Sequence, residues 1–245
     1  MQEILENNIY QGDCLELIKG IPDGSVDCVI TDPPYGTTRN KWDKQVDIVA
    51  MFQEFKRVIK PNGAILIFGQ EPFSSKLRTI SGCFRYDWIW QKPNSAGFLN
   101  ANKMPLRTHE VISVFYKKLP TYNPQFTEGK PYAIKTNKPS KNYGKFNSTP
   151  SYSNGTRYPK DVLQFSNVTR PFCPEYCGHP TQKPVALIEY LIKTYTNPGE
   201  LVLDCFLGSG TTAVAAINTG RKYIGFELDE EYFTTCQRRI AAPQP

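Results

Sequence analysis

The stretch ELVLDCFLGSGTTAVAAINTG, residues 200–220, decides the fold class because its pattern predicts a buried strand, a glycine turn and a helix. Gly208 and Gly210 stand where the backbone turns sharply and approaches a ligand without a Cβ in the way. With Ala213 the turn fits G-x-G-x-x-A, a dinucleotide-binding fingerprint, and Glu227 ends the next strand, where an acid can bind ribose hydroxyls. An NAD-dependent enzyme is one interpretation, and a tight turn without a ligand is another.

The order of the predicted elements argues against the NAD interpretation. Only 18 residues follow Glu227, so the unit after residue 200 is β-α-β-α and needs the amino-terminal strands to complete a sheet. Those strands, NIYQGD, SVDCVITD and AILIFG, alternate with helices, which predicts a parallel sheet covered on both faces. The chain order therefore looks circularly permuted. We expect PNG at 61–63 to separate a helix from AILIFG, and FRYDWIWQK and HEVISVFYKK to form the far edge of the sheet.

Residues 118–178 break this rhythm, since they are rich in Pro, Asn, Ser, Lys and Tyr and show little periodicity. We predict an inserted region here, with 1–117 and 179–245 forming the main domain. Residues 117–160 hold nine Lys or Arg and one acid, Glu128, so this segment has a net charge of +8. The whole chain has a formal net charge of +6, so the remaining residues sum to −2. Such a segment is either a solvated basic loop or a surface that follows phosphates.

Composition favours a cytoplasmic protein without a membrane partner. The sequence has no apolar run long enough to cross a bilayer, and MQEILENNIY lacks the apolar region of a signal peptide. Seven cysteines, an odd number, favour reduced thiols over a disulfide framework. Cys173, Cys177 and His179 lack the second ligand pair that a zinc site usually has, so we predict no metal.

A second motif, TDPPYG at 31–36, follows the predicted strand VDCVI. The plain interpretation is that the prolines stop the strand and that Asp32 caps a turn. However, one proline suffices for a stop, and open α/β sheets bind their ligands at the carboxyl ends of parallel strands. We therefore expect this segment to belong to a site.

Together, TDPPYG, the later LDCFLGSGTT and HPTQKP at 179–184 resemble the signature of amino-group DNA methyltransferases, in the motif order of their β class. D-P-P-Y alone also occurs in enzymes that methylate RNA bases or protein glutamine. The resemblance covers nearly the whole chain and weakens only across the inserted region. It implies an α/β, Rossmann-like, circularly permuted methyltransferase fold with an inserted target-recognition segment, S-adenosylmethionine as cofactor and DNA as partner.

The resemblance also assigns roles that fit the chemistry of an exocyclic base amine, which is a poor nucleophile and is buried in a duplex until the base is flipped out. Asp32 and the carbonyl of Pro33 can accept from the two N–H groups, while Pro34 stiffens the segment and Tyr35 offers a ring for stacking. Lys183 is assigned to the cofactor carboxylate, although a solvated role at a helix start is equally open. The predicted cofactor-binding residues are Asp13, Cys14, Asp32, Lys183, Asp204, Phe206, Gly208, Ser209, Gly210, Thr211 and Glu227.

Adenine N6 is the favoured target because a serine at the position of Asp32 is commoner in the cytosine-N4 members of the family. N4-cytosine methylation is the main alternative. An RNA or protein methyltransferase, or a nucleic-acid-binding protein without turnover, is a further alternative, and a homodimer is left open. The intact Asp32, Tyr35, Gly208 and Gly210 argue against loss of turnover.

Overall fold

The structure, a computed structural model, describes residues 3–36, 46–134, 151–168 and 173–242. The chain divides into two compact units, one comprising Met1–Asn123 with Asp161–Pro245 and the other Pro124–Lys160. The strands of the described residues, in chain order, are β1 Asn8–Gln11, β2 Val26–Thr31, β3 Ile59–Gly69, β4 Phe84–Ala96, β5 Arg107–Phe115, β6 Thr127–Glu128, β7 Tyr132–Ile134, β8 Ser151–Ser153, β9 Thr156–Arg157, β10 Val162–Gln164, β11 Leu201–Asp204 and β12 Lys222–Glu227.

The α-helices of the described residues all belong to the larger unit, and three of them begin at an aspartate. Asp13, Asp47 and Asp229 each accept backbone N–H groups of the first turn, which satisfies donors that a helix start leaves without partners. None of these helices is long and apolar enough to cross a membrane. The helices are α1 Cys14–Leu17, α2 Ile48–Val58, α3 Phe73–Ser81, α4 Val185–Tyr195, α5 Thr211–Asn218 and α6 Glu230–Ala241.

The larger unit is built on one sheet of eight strands, in the order β1-β12-β11-β2-β3-β5-β4-β10. The pairs from β1 to β3 are parallel, β5 runs antiparallel to both of its neighbours, and β10 is parallel to β4. The carboxyl-terminal strands β11 and β12 thus lie between β1 and β2. This confirms that the two ends of the chain share one mostly parallel sheet.

Helices cover both faces of the sheet because side chains along each strand alternate between two apolar cores. Val29 points to the core that includes Met51 and Phe55 of α2. Its neighbour Ile30 points to the opposite core, which includes Leu191 of α4. The same alternation continues in β3, so the central strands are buried on both sides and their carboxyl ends are left to form a site.

Two details differ from the sequence prediction. The strand β3 already begins at Ile59, so PNG at 61–63 lies inside the strand, with a register shift against β2 near Val26 and Cys28. The edge strand next to β4 is β10, which comes from the predicted inserted region 118–178. The smaller compact unit, Pro124–Lys160, is accordingly narrower than that region.

The smaller unit contains two short antiparallel ribbons, β6 with β9 and β7 with β8. Gly155 has a φ of +111°, and a Cβ there would lie 2.5 Å from the carbonyl oxygen of Gly129. The backbones next to β6 and β9 therefore approach each other closely at these two glycines. The Arg157 guanidinium lies 4.6 Å from the ring centre of Tyr132. Four of the nine cations of residues 117–160, namely Lys135, Lys138, Lys141 and Lys145, lie outside the described residues.

Candidate active site

The two sequence motifs meet because β2 and β11 are adjacent parallel strands, paired through Cys28 with Val202 and Val29 with Leu203. From β2 the chain continues through α2 to β3, which lies next to β2 in the sheet. From β11 it continues through α5 to β12, which lies next to β11 in the opposite direction along the sheet. The sheet therefore changes its direction of winding between these two strands. A crevice outside the carboxyl ends of the strands at such a point is where open α/β sheets bind ligands.

A cavity of about 930 Å³ occupies this crevice. It is large enough for a drug-sized ligand. Gly210 is the one predicted site residue that does not line it, since a Cβ at Gly210 would lie 3.3 Å from Cys236 of α6 instead. The predicted residues that line the cavity are Asp13, Cys14, Asp32, Pro33, Pro34, Tyr35, Lys183, Asp204, Phe206, Gly208, Ser209, Thr211 and Glu227.

Asp32 lies in the cavity wall just beyond β2, with both carboxylate oxygens engaged. The Tyr35 hydroxyl donates to Oδ1, and the Lys183 ammonium donates to Oδ2. The ring of Tyr35 also packs at 5.0 Å from that of Phe73. The short DPPY segment therefore holds its own acid through a tyrosine three residues away, as well as through a lysine from the other end of the chain.

Lys183 precedes α4, since Pro184 is the amino-terminal cap, and its side chain is only 11% exposed. Its Nζ lies 3.7 Å from Oε2 of Glu110 and 5.1 Å from the ring centre of Phe68. Burial lowers the pKa of Lys183, but Asp32 and Glu110 outweigh it, so the net pKa is raised and the side chain is charged. The contacts of Lys183 are thus with carboxylates of the protein, whereas the sequence assigned it to a cofactor carboxylate or to solvent.

The glycine turn is closed by Glu227 at the end of β12. Gly208, with a φ of +56°, donates its N–H to Oε2 of Glu227 over 2.6 Å, and the Asp229 N–H donates to Oε1 over 2.8 Å. Burial raises the pKa of Glu227 from 4.5 to about 7. An acid with a pKa near neutrality therefore faces the cavity from beneath the turn.

Asp204 holds the base of the same turn. Its oxygens accept from the hydroxyl of Thr31 at 2.7 Å, from that of Thr212 at 2.6 Å and from the Phe206 N–H at 3.0 Å. Burial raises the pKa of Asp204 to about 6, against the effect of these hydrogen bonds. This carboxylate therefore ties β2, the turn and α5 together.

The start of α1, just after β1, contributes Asp13 and Cys14 to the cavity lining. Asp13 caps α1, because its Oδ1 accepts from the N–H groups of Leu15 and Glu16 at 2.8 and 3.3 Å. Cys14 is 7% exposed, and burial raises its thiol pKa to about 12, so the thiol is neutral at physiological pH.

His179 packs beneath the glycine turn, 4.2 Å from the ring of Tyr232, where burial lowers its pKa to about 4. Its Nδ1 accepts from the Thr181 N–H at 3.3 Å. The Cys177 thiol lies 3.1 Å from Oε1 of Gln182. Within the described ranges, no group of three His, Cys, Asp or Glu side chains is arranged to hold a metal ion.

Several cavity residues were not predicted from the sequence, among them Glu110, Thr31 and Thr212. Glu110 is an acid inside the apolar strand β5, and that break in the pattern was the available signal. Thr31 and Thr212 carry no such signal, because threonine is ordinary at a strand end or a helix start. Gln70 and Arg107 also line the cavity, and Arg107 donates to Oε1 of Gln70 at 2.6 Å.

Comparison with known proteins agrees with this geometry. The family model N6_N4_Mtase, described as DNA methylase, matches residues 26–238. The type II methyltransferase M.BglII of Bacillus subtilis is 33% identical over 92% of this chain, which spans 66% of that protein's length. The DNA adenine methyltransferase YhdJ of Escherichia coli (strain K12) is 34% identical over 95% of this chain and 82% of its own length.

Solved structures show the same fold. The crystal structure of the M1.HpyAVI-SAM complex superposes with a TM-score of 0.66 at 28% identity, covering 96% of this chain and 99% of that one. The cytosine-N4-specific PvuII DNA methyltransferase superposes with a TM-score of 0.69 at 21% identity, covering 99% and 89% of the two chains. The family match spans most of the chain and includes both motifs that line the cavity, so the chain belongs to the N6/N4 DNA methylase family.

Proposed function

We propose that the protein transfers a methyl group from S-adenosylmethionine to the N6 amine of an adenine flipped out of DNA. The observation that carries the proposal is the convergence of the DPPY segment and the glycine turn on one cavity between β2 and β11. Family membership supports the reaction class. The similarity to YhdJ, a DNA adenine methyltransferase, supports adenine as the target.

The cavity has the groups that such a cofactor needs. Gly208 adopts a φ of +56°, and a Cβ there would lie 3.3 Å from the ring of His179, so the position requires glycine. Glu227 offers a buried carboxylate to ribose hydroxyls, and Asp13 offers one to the adenine amine. We assign Phe206, Ser209 and the other predicted turn residues to the methionine end.

Cofactor binding supplies an electrophilic methyl group on a positively charged sulfur. The protein has to present the amine nitrogen with its lone pair directed at that methyl carbon. Asp32 accepts one N–H of the amine and the Pro33 carbonyl accepts the other, which favours a pyramidal nitrogen. The nitrogen then releases one proton to Asp32 or to water.

Tyr35 supports this clamp in two ways. Its hydroxyl donates to Asp32 and orients the carboxylate. Its ring lines the cavity, where a flipped base can stack on it with a contribution of roughly 1–3 kcal/mol. Pro33 and Pro34 fix the backbone between the two residues, because the proline ring restricts φ.

We assign target recognition to the region 118–178. In its described part, Phe126, Tyr132, Tyr152 and Tyr158 are 46–79% exposed, beside the cations Lys130, Arg157 and Lys160. Exposed rings next to cations suit base stacking and phosphate contact. Phe126 packs against Tyr158 at 4.9 Å and Arg157 against Tyr132 at 4.6 Å, yet the four rings keep about half or more of their surface exposed, which suits a nucleic-acid surface better than a core.

The direct test is to incubate the purified protein with S-adenosylmethionine and unmethylated genomic DNA, and to digest the product to nucleosides. We expect N6-methyladenine by mass spectrometry, and base-resolved sequencing of the same DNA should give the target site. N4-methylcytosine as the product would replace adenine by the alternative target. Methylation of RNA or protein with none of DNA would overturn the proposal, as would DNA binding without turnover.

The sequence leaves a homodimer open and predicts a cytoplasmic location. Light scattering of the purified protein gives its mass in solution, and a mass near 27.8 kDa would contradict the homodimer. Cell fractionation tests the location, and recovery with membranes would contradict it.

A further inference from the structure

Four charged side chains alternate in sign next to one another: Lys92, Glu110, Lys183 and Asp32. The last three of them line the cavity. Lys92 donates to Oε1 of Glu110, and Lys183 donates to Oδ2 of Asp32. Between these two hydrogen-bonded pairs, the Nζ of Lys183 lies 3.7 Å from Oε2 of Glu110. The Lys183 ammonium therefore stands between two carboxylates and is hydrogen-bonded to only one of them.

Glu110 is unusual because it is only 8% exposed, and no donor among the described residues meets hydrogen-bond geometry at its buried Oε2. The Gln70 side chain is also close enough to Glu110 to help lower its pKa. Burial raises the pKa of Glu110, but Lys183 and Lys92 outweigh it, so the net pKa is lowered and the carboxylate is charged. A buried charged oxygen without a donor is costly. Glu110 lines the cavity, and the ammonium of Lys183 lies 3.7 Å from this oxygen.

In this structure both oxygens of Asp32 already accept a hydrogen bond, Oδ1 from Tyr35 and Oδ2 from Lys183. A target amine would share the carboxylate with these two donors, and the charged one, Lys183, weakens Asp32 most as an acceptor. Lys183 also places a positive charge beside a nitrogen that becomes positive as it accepts the methyl group. Moving that ammonium away from Asp32 strengthens the hydrogen bond from the amine to Asp32 and reduces the repulsion of the positive charge that develops on the nitrogen.

We propose that Glu110 is a positioning residue that receives the Lys183 ammonium when the target amine engages Asp32. The inference rests on the proposed function and assigns a role to a residue outside both sequence motifs. A shift of about 1 Å would bring the 3.7 Å separation to the length of an ordinary charge-assisted hydrogen bond, near 2.8 Å. Lys92 keeps Oε1 in place, so Oε2 stays aimed at Lys183.

The exchange requires only a local movement, because the other contacts of Lys183 stay in place. The Thr211 hydroxyl donates to the Lys183 carbonyl at 3.1 Å, which fixes the backbone. The ammonium lies 5.1 Å from the ring centre of Phe68, so a cation–π contact remains available in either position. Only the end of the side chain has to move.

The test compares the affinities of two duplexes in the presence of S-adenosylhomocysteine, so that no methyl group is transferred. One duplex carries the mapped target site, and the other carries the same base without its exocyclic amine. The ratio of the two affinities measures how well Asp32 holds the amine. We expect a ratio of about 10 or more for the wild type, as for a hydrogen bond to a charged acceptor, and a ratio within about 3-fold of one for Glu110→Gln.

The double variant E110Q/K183M separates positioning from a structural role. Without Lys183 there is no ammonium to receive, so the ratio should match that of K183M alone and exceed that of E110Q. If E110Q does not fold, a difference between E110Q/K183M and K183M would still overturn the role of Glu110, because Glu110 would then act without the ammonium. The control is Asp87→Asn, since Asp87 is a partly buried acid of β4 bound to Ser113 and Arg78, away from the cavity lining.

Four outcomes overturn the inference. A wild-type ratio near one would overturn the amine clamp of the proposed function, and the inference with it. A wild-type ratio of about 10 that E110Q leaves unchanged, or effects of E110Q and K183M that simply add, would overturn the role of Glu110 alone. A loss in D87N equal to that in E110Q would also overturn it, because the effect would then follow any lost acid of the sheet.

Discussion

The hydroxyl of Thr31 donates to Oδ1 of Asp204 over 2.7 Å and so joins the last residues of β2 and β11. These two residues stand directly before the DPPY segment and the glycine turn. One buried hydrogen bond therefore fixes the distance between the two motifs of the site. Asp204 passes the constraint on, because its other contacts are with Phe206 in the turn and Thr212 in α5.

Thr31→Val keeps the side-chain shape and removes this donor. We expect a loss of about 1–2 kcal/mol in the free energy of unfolding, since the carboxylate of Asp204 is left with one donor fewer in a buried site. Urea denaturation measures the loss. Thr79→Val is the matched control, because its exposed hydroxyl bonds only to the Ser75 carbonyl of the same helix. Equal effects in both variants would contradict the special role of the Thr31 contact.

Asp32→Asn tests the amine clamp with little change in shape. Asparagine lacks the charge and one of the acceptors, so we expect methyl transfer to fall by on the order of 10²-fold or more. The affinity for S-adenosylhomocysteine should stay within about 3-fold, since the assigned ribose and adenine acceptors are Glu227 and Asp13. Single-turnover kinetics and calorimetry measure the two quantities. Transfer at the wild-type rate would show that Asp32 is not the acceptor.

The sequence predicted those parts of the site that depend on local pattern. The glycine turn and the DPPY segment could be found because glycine, proline and a strand end leave a mark on neighbouring residues. The shared sheet followed from the order of the predicted elements, in which strands of the first and the last part of the chain both alternate with helices. Element order and composition were sufficient for that step.

The rest depends on pairings that no local pattern records. Lys183 and Asp32 are 151 positions apart, and only the fold brings the ammonium to the carboxylate. From the sequence, Lys183 was assigned to a cofactor carboxylate or to a solvated helix start, and neither interpretation indicated that its side chain lies largely buried between Asp32 and Glu110. The edge strand β10 was missed for a related reason, since its three residues are too few for a period to show.

The smaller unit gives a prediction for DNA binding. The double variant Lys130→Gln with Lys160→Gln removes two exposed cations from it. If both contact phosphates, the slope of log affinity against log salt should become less steep by about 1.8, which corresponds to 0.9 for each contact. The loss should be similar for target and non-target duplexes.

The control for this variant is Lys19→Gln with Lys222→Gln, which removes the same charge from exposed positions of the larger unit. Lys222 starts β12 at the amino ends of the strands, opposite the cavity. The salt dependence of DNA binding by this control variant should match that of the wild type. A change in slope as large as that in the first variant would mean that net charge, and not the smaller unit, determines the affinity.

The pKa of about 7 for Glu227 predicts a pH dependence of cofactor binding. Burial raises this pKa above the ordinary 4.5, so the carboxyl is protonated in a growing fraction of molecules as the pH falls below about 7. A protonated carboxyl accepts poorly from two ribose hydroxyls. The affinity for S-adenosylhomocysteine should therefore be constant above pH 8 and fall by up to tenfold for each unit below about 7.

In Glu227→Gln the affinity at pH 8 should be about 10- to 100-fold weaker, from the loss of hydrogen bonds to a charged acceptor, and nearly independent of pH. Glu231→Gln, which changes an exposed acid in the first turn of α6, should keep the wild-type profile. Calorimetry between pH 5.5 and 8.5, about the range that brackets this pKa, measures all three profiles, and a falling affinity that persists in Glu227→Gln would assign the titration to another group.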